Sequence, residues 1–283
     1  MANPVDESGS EACFFDSFTS VGLPPDQEAQ LQADLNAIEE AGKITDPNKR
    51  EAAIAPAMMK YQFDYTVFTN LPPLSAAQIA VLTDDYNQTV HDSQITYSNP
   101  SEIFQVMQLD WAKFNMDILF FTHSLTQDQV DTLARDYAQL EVDNQIADSE
   151  TKWERVQVSF ARFNLDMTLF TYPELSSWEI TQLEIDFANL AKDSQISDKD
   201  DRSAAIVVNS VLLEKDTLTY LYPLTSDEQS KIDTIYNKLV KDSMMTGPQR
   251  MPQMNIDWTE FEDTKAIIIQ NHSADPTSYH SIY

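Results

Sequence analysis

The sequence repeats one pattern about every 50 residues, and this repetition constrains the fold more than any other feature. The stretch "FNMDILFFTHSLTQDQVDTLARDY" at 114–137 is followed by "FNLDMTLFTYPELSSWEITQLEIDF" at 163–187. Both contain an aspartate followed by an aromatic residue near their end, and related doublets recur at intervals of 51, 51, 50 and 49 residues. The doublets are Asp34-Leu35, Asp85-Tyr86, Asp136-Tyr137, Asp186-Phe187 and Ile235-Tyr236. So regular a period indicates a repeat protein.

Each repeat has two segments with the apolar spacing of an amphipathic helix. In segment A, large apolar residues recur at spacings of 3, 4, 3, 4 and 3. The clearest copy consists of Trp153, Val156, Phe160, Phe163, Met167 and Phe170. Segment B contains the doublet and shows the same spacing at Val130, Leu133, Tyr137 and Leu140. We therefore expect two helices in each repeat.

The beginnings of the B segments are marked by capping boxes, in which Ser or Thr precedes Gln or Glu by three residues. The four pairs are Ser75–Gln78, Thr126–Gln129, Ser176–Glu179 and Thr225–Glu228. The first copy has Pro24 and Pro25 instead, so we expect its helix to begin differently. Pro56 lies inside a predicted A helix, where its missing amide is expected to kink the helix.

The predicted fold is all-α, with five tandem hairpins of about 50 residues stacked as an α-solenoid or a compact helical bundle. One hairpin cannot bury its apolar face alone, so neighbouring hairpins must stack. We predict a disordered leader at 1–12 and one helical-repeat domain at 13–245. Its repeats are about 13–60, 61–112, 113–162, 163–212 and 213–245. A C-terminal tail at 246–283, with one short helix around 257–270, is expected to dock on the last repeat.

The formal charge of the chain is -28, from 18 Lys and Arg against 46 Asp and Glu. Such a field repels phosphate backbones, so we expect no nucleic-acid binding. No apolar stretch approaches the roughly 20 residues of a membrane span, and the N-terminus does not resemble a secretory signal. A cytoplasmic protein is expected. Cys13 is the single cysteine, which excludes an internal disulfide.

The residues that usually carry catalytic chemistry are absent or wrongly spaced. The four histidines, His91, His123, His272 and His280, lack the spacing of a metal site. With four glycines, the chain has no Gly-rich phosphate loop, and it has no nucleophile-elbow motif. We therefore expect no cofactor, no metal and no catalytic residue of a familiar type.

One polar residue recurs beside the apolar face of segment A. The four copies are Asp64, Asp117, Asp166 and Asp216. A buried carboxylate needs a partner, so these residues either accept hydrogen bonds from neighbouring helices or form a row of carboxylates. Such a row would bind a cation, a sugar or a basic ligand, and we take these four as the candidate ligand- or partner-binding residues.

The function that this combination predicts is a non-enzymatic, acidic scaffold that binds another protein, such as a basic one, or its own copies. One alternative is a carrier that holds a small apolar or aromatic ligand between its helices. A second is a toroid-type helical enzyme, with Asp117 and Asp166 as acid and base. A third is an acidic decoy for a nucleic-acid-binding surface.

Overall fold

A computed structural model describes residues 22–95 and 100–272, which form ten α-helices and no strand. The all-α prediction is confirmed. The predicted leader, the start of the first repeat and the last 11 residues of the tail, 273–283, lie outside the described residues. The helices are α1 (Pro25–Gly42), α2 (Pro47–Thr69), α3 (Ala76–Ser93), α4 (Pro100–Thr122), α5 (Gln127–Asn144), α6 (Ser149–Thr171), α7 (Ser177–Asp193), α8 (Lys199–Leu221), α9 (Ser226–Ser243) and α10 (Arg250–His272).

Two kinds of helix alternate along the chain. The odd-numbered helices have 17 or 18 residues and correspond to segment B, so we call them B helices. The even-numbered A helices have 23 residues each. Each B helix makes its most extensive contacts with the A helix that follows it. Each hairpin therefore begins with a B helix, and α1–α2 is the first of five.

The hairpins stack in two layers. Each A helix packs against the next A helix, and α3, α5, α7 and α9 each also contact the A helix before them. Among the described helices, the B helices do not pack extensively on one another, and neither do the first and last hairpins. The arrangement is an open stack of hairpins rather than a ring.

The predicted capping boxes are confirmed at the start of α3, α5, α7 and α9. At α3, the Gln78 amide donates to Ser75 Oγ at 3.3 Å, and the Ser75 amide donates to Gln78 Oε1 at 2.9 Å. These two bonds satisfy amides that the first helical turn leaves without partners. As expected, α1 begins differently, at Pro25 and without a side-chain cap. Helix α2 continues through Pro56.

The core is formed where an apolar face of a B helix packs against two consecutive A helices. Leu133 and Leu140 of α5 are 0% and 1% exposed, and they belong to one cluster with residues of α4 and α6. On α4 these are Ala112, Met116 and Leu119, and on α6 they are Val156, Phe160, Phe163 and Met167. Much of the apolar spacing seen in the sequence thus lies inside the stack.

The tail contributes a longer helix than the sequence indicated. Helix α10 begins at Arg250 rather than near 257, has the length of the other A helices, and packs on α9 and α8. Pro252 lies in its first turn, where a missing amide costs no helical hydrogen bond. With these contacts α10 completes the fifth hairpin.

Replacing Leu133 by Ala should remove about 2–5 kcal/mol from the free energy of unfolding, because it leaves a cavity between α4 and α6. Urea denaturation followed by circular dichroism measures the change. Val142 on the same helix is 60% exposed, and Val142→Ala should change stability by less than about 0.5 kcal/mol. Equal losses in the two variants would contradict the packing described for α5.

Candidate functional site: paired aspartates within the hairpins

Each of the first four hairpins holds two aspartates against each other, one from each helix. The B-helix aspartate lies nine residues after the start of its helix, and the A-helix aspartate lies 17 residues after the start of its own. We call these the carboxyl pairs. They are Asp34–Asp64, Asp85–Asp117, Asp136–Asp166 and Asp186–Asp216. All four candidate residues from the sequence therefore lie in the pairs.

The pairs lie inside the structure rather than along an open row. Asp64, Asp117 and Asp166 are 6%, 8% and 2% exposed, and Asp216 is partly buried. Asp117 and Asp166, the acid and base of the enzyme alternative, belong to different hairpins and have different partners. Among the described residues, no group of three His, Cys, Asp or Glu side chains is arranged to hold a metal ion.

One cation accompanies each carboxyl pair. Lys60, Lys113 and Arg162 stand four residues before the A-helix aspartate and bind it. Lys113 Nζ also lies 3.4 Å from Asp85, so it bridges both members of its pair. In the fourth hairpin the cation is Lys215, whose Nζ lies 3.3 Å from Asp216 and 3.2 Å from Asp233 of α9. Each fully ionised pair with its cation thus carries one excess negative charge.

In the last two doublets, the aromatic residue contacts the hairpin before its own. The Phe187 ring centre lies 5.3 Å from the Arg162 guanidinium carbon, and the Tyr236 ring centre lies 5.8 Å from Lys215 Nζ. These are cation–π distances. Tyr137 packs edge-on against Phe163 of its own hairpin, with 6.5 Å between ring centres. The Asp of the doublet therefore joins the two helices of one hairpin, while Phe187 and Tyr236 join consecutive hairpins.

These separate contacts of the two doublet residues account for the doublets that depart from the pattern, Asp34-Leu35 and Ile235-Tyr236. Asp34-Leu35 lies in the first described hairpin, and Leu35 packs with Tyr61 and Tyr65 instead of covering a cation of a preceding hairpin. In the last hairpin, Ile235 replaces the aspartate, and Ile267 stands at the corresponding position of α10. Tyr236 remains aromatic, and its ring makes the cation–π contact with Lys215 of the fourth hairpin.

Burial raises the pKa of the B-helix aspartate in every carboxyl pair, and the neighbouring carboxylate raises it further. The pKa of Asp34 and of Asp186 rises to about 6, and that of Asp85 and of Asp136 rises to about 7. The cations act in the opposite direction and only partly offset burial. The four B-helix aspartates therefore titrate near neutral pH, unlike exposed aspartates.

A second buried charge cluster joins the last two hairpins. Lys265 of α10 is 1% exposed and binds Glu214 of α8 at 2.5 Å and Glu262 at 2.6 Å. Burial, with Glu262 adding to it, raises the pKa of Glu214 to about 8. Glu214 also borders a cavity of about 40 Å³ between α6 and α8. That volume suits a few water molecules rather than an organic ligand.

The sequence analysis missed an exposed apolar surface on the fourth hairpin. Trp178 and Ile185 lie seven residues apart on one face of α7 and are 66% and 48% exposed. The Trp178 ring packs edge-on against Tyr220 of α8, with 5.6 Å between ring centres. At the Trp178 position the other B helices have Asp26, Ala77, Asp128 and Asp227. At the Ile185 position they have Ala33, Asp84, Arg135 and Thr234.

A comparison of the repeats could have revealed this surface, because two large apolar residues replace small or polar ones in a single copy.

Comparisons of the whole chain with protein families, curated proteins and solved structures give no match.

Replacing Arg162 by Met should destabilise the protein by about 2–4 kcal/mol at pH 8, because Asp166 would remain buried without a cation. The Arg162 side chain is 30% exposed, which places the loss below that of a fully buried pair. Lys43 makes ion pairs with Glu39 and Glu40 while 57% exposed, so Lys43→Met should have a much smaller effect on stability. Urea denaturation compares the two, and a loss from Arg162→Met no greater than that from Lys43→Met would refute the role of the cation.

Proposed function

We propose that the protein is a non-enzymatic scaffold that binds a Lys- and Arg-rich segment of another protein at the surface formed by Trp178, Ile185 and Tyr220. The observation that carries this proposal is the exposure of Trp178 and Ile185 on one face of α7. Large aromatic residues supply much of the binding energy in protein interfaces, and 66% of the Trp178 surface stays exposed although its ring contacts Tyr220.

The charge around this surface favours a basic partner. Glu174 is exposed and Glu179 is partly exposed, and both lie close to Trp178 in the chain. Hydrogen bonds from Ser176 lower the pKa of Glu179, so it stays ionised at neutral pH. Tyr220 lies in the field of Glu179, Asp186 and Asp216; burial and these carboxylates raise its pKa to about 12. Cations bind both to carboxylates and to the faces of aromatic rings.

The size of the apolar surface also fits a peptide segment better than a rigid globular partner. Trp178 and Ile185 are about 10 Å apart along α7 at a rise of 1.5 Å per residue. A short segment with a basic residue near Trp178 and an apolar residue near Ile185 would cover both. The net charge of -28 would accelerate association with such a segment.

The alternative functions receive less support from the described structure. A carrier of an apolar ligand needs a pocket of about 300 Å³ or more, whereas the cavity beside Glu214 measures about 40 Å³. A groove of about 450 Å³ crosses α9 and α10, but five of its seven lining residues are polar. No helix in the described part of the chain has the length and apolar character needed to cross a membrane.

Trp178→Ala should weaken binding of a basic peptide at least tenfold. The probe is a synthetic 15-residue peptide containing Lys, Arg and Leu, and the measurement is isothermal titration calorimetry at two salt concentrations. A tenfold loss corresponds to about 1.4 kcal/mol, within the range expected for an interface aromatic residue. Higher salt should weaken binding to the native protein, because the attraction is partly electrostatic.

Two controls separate this surface from general attraction to an acidic protein. Val142→Ala removes an equally exposed apolar side chain from α5 and should leave binding unchanged. A peptide with Glu in place of Lys and Arg should not bind. If Trp178→Ala binds the basic peptide as tightly as the native protein, the assignment of this surface is wrong.

A further inference from the structure

Each carboxyl pair contains a buried oxygen atom that lacks a hydrogen-bond donor. These atoms are Oδ2 of Asp34, Asp85, Asp136 and Asp186, and none has a hydrogen-bond partner among the described residues. Asp34 and Asp186 are only 7% and 2% exposed. Each of these aspartates lies against the second aspartate of its pair. Two ionised carboxylates only accept hydrogen bonds, so neither can satisfy the other.

A single proton resolves both the missing donor and the excess charge. A protonated aspartate donates to its ionised partner, and the pair with its cation then becomes electrically neutral. Two buried carboxylates in contact are known to share one proton because they cannot both ionise without strong repulsion. The same geometry occurs four times along the stack, so the contribution of proton binding to stability is repeated in each of the four hairpins.

The fifth hairpin shows the alternative solution within the same chain. Ile235 of α9 is 2% exposed and belongs to the apolar cluster that includes Ile268 of α10. Ile267 stands where the other A helices have their paired aspartate. The positions of a carboxyl pair can therefore be filled by apolar residues, and helix packing there does not require a proton. The titratable carboxyl pairs of the first four hairpins are therefore not required for the fold itself.

We propose that each of the four carboxyl pairs binds one proton, and that these protons act together as an acid-strengthened clamp between the B and A helices of the first four hairpins. Loss of the protons leaves like charges buried between the helices and weakens their packing. The proposal is independent of the binding function of the Trp178 surface.

The charged and titratable groups around each pair come from the same hairpin and from its neighbours. Lys60 faces Asp34–Asp64, and Lys113, Asp110 and Tyr137 face Asp85–Asp117. Arg162 and Arg135 face Asp136–Asp166. Lys215, Tyr220 and Tyr236 face Asp186–Asp216. Two further carboxylates reach the pairs through the shared cations, Glu184 at Arg162 and Asp233 at Lys215. The lysines, arginines and tyrosines keep their charge state between pH 5 and 8, whereas Asp110, whose pKa burial raises to about 7, titrates in the same range as the pairs.

The direction of the pH dependence follows from the raised pKa values. A carboxyl group whose folded-state pKa exceeds its unfolded value of about 3.9 contributes stability that is complete below pH 4. That contribution is lost as the pH rises through the folded-state pKa, which is about 6 for Asp34 and Asp186 and about 7 for Asp85 and Asp136. The protein should therefore become more stable as the pH falls from 8 to 5.

The decisive experiment replaces the four B-helix aspartates together by asparagine and measures the thermal midpoint from pH 5 to 8. Asparagine has the shape of a protonated aspartate and can donate a hydrogen bond to the remaining carboxylate. The native midpoint should rise by about 5 °C or more on acidification. The combined variant Asp34→Asn, Asp85→Asn, Asp136→Asn and Asp186→Asn should have a higher midpoint at pH 8 and less than half of the native pH dependence. Asp110 and Glu214 also have raised pKa values, so some pH dependence should remain.

A matched variant controls for the removal of four negative charges from a chain whose net charge is -28. Asp84→Asn, Asp131→Asn, Glu141→Gln and Asp263→Asn remove four exposed carboxylates and should retain most of the native slope. If both variants show the same slope, general charge repulsion explains the effect and the proposal fails.

A second measurement does not depend on any variant folding. Carbon-13 NMR of the side-chain carboxyls of the native protein should show five aspartates that titrate between about pH 6 and 7, namely the B-helix members of the four carboxyl pairs and Asp110. The single variant Asp85→Asn should remove one of these titrations. If every aspartate carboxyl of the native protein titrates below pH 5, the pairs hold no proton and the clamp does not exist.

Discussion

The insertion of α3, α5, α7 and α9, each between two consecutive A helices, is the interaction on which the rest of the structure depends. A two-helix unit has one apolar face and no second layer of its own, so its stability comes from its neighbours. Leu82, Leu133, Leu183 and Ile232 fill this position in four successive B helices, and all are 0% exposed. Once these contacts fix the spacing of the helices, the polar groups beside them have little freedom, and the carboxyl pairs are a consequence of that register.

Local signals in the sequence were sufficient for the helices but not for their pairing. The capping boxes act within four residues, and the 3–4 apolar spacing depends on one helix alone, so both could be identified without tertiary information. Because A and B segments alternate strictly along the sequence, the sequence does not indicate whether a B helix packs more closely on the A helix before it or on the one after it. The first turns of helix α10 were not predicted for a different reason: Gly247, Pro248 and Pro252 stand at its start, and Gly and Pro usually mark loops.

The aspartates of segment A were correctly placed at the border of the apolar face, but their partners could not be predicted. A carboxylate in that position is expected to find a cation or a donor, and Lys60, Lys113 and Arg162 satisfy that expectation from one turn away on the same helix. The second aspartate comes from another helix, and its approach depends on the register between the two. Sequence spacing alone would not suggest two like charges in contact, because the arrangement is favourable only when one of them is protonated.

The two proposals meet in the fourth hairpin. The Asp186–Asp216 pair lies between α7, which carries Trp178 and Ile185, and α8, which carries Tyr220. Tyr220 is close enough to both aspartates for their charges to contribute to its raised pKa, so the field at the binding surface changes when the pair takes up a proton. A protonated pair holds the two helices more firmly and presents one negative charge fewer to a basic partner. Acidification therefore has two opposite effects on this surface: it fixes the aromatic residues in place, and it weakens the electrostatic attraction to a basic partner. Only the second effect is screened by ions, so the two effects differ in their dependence on salt.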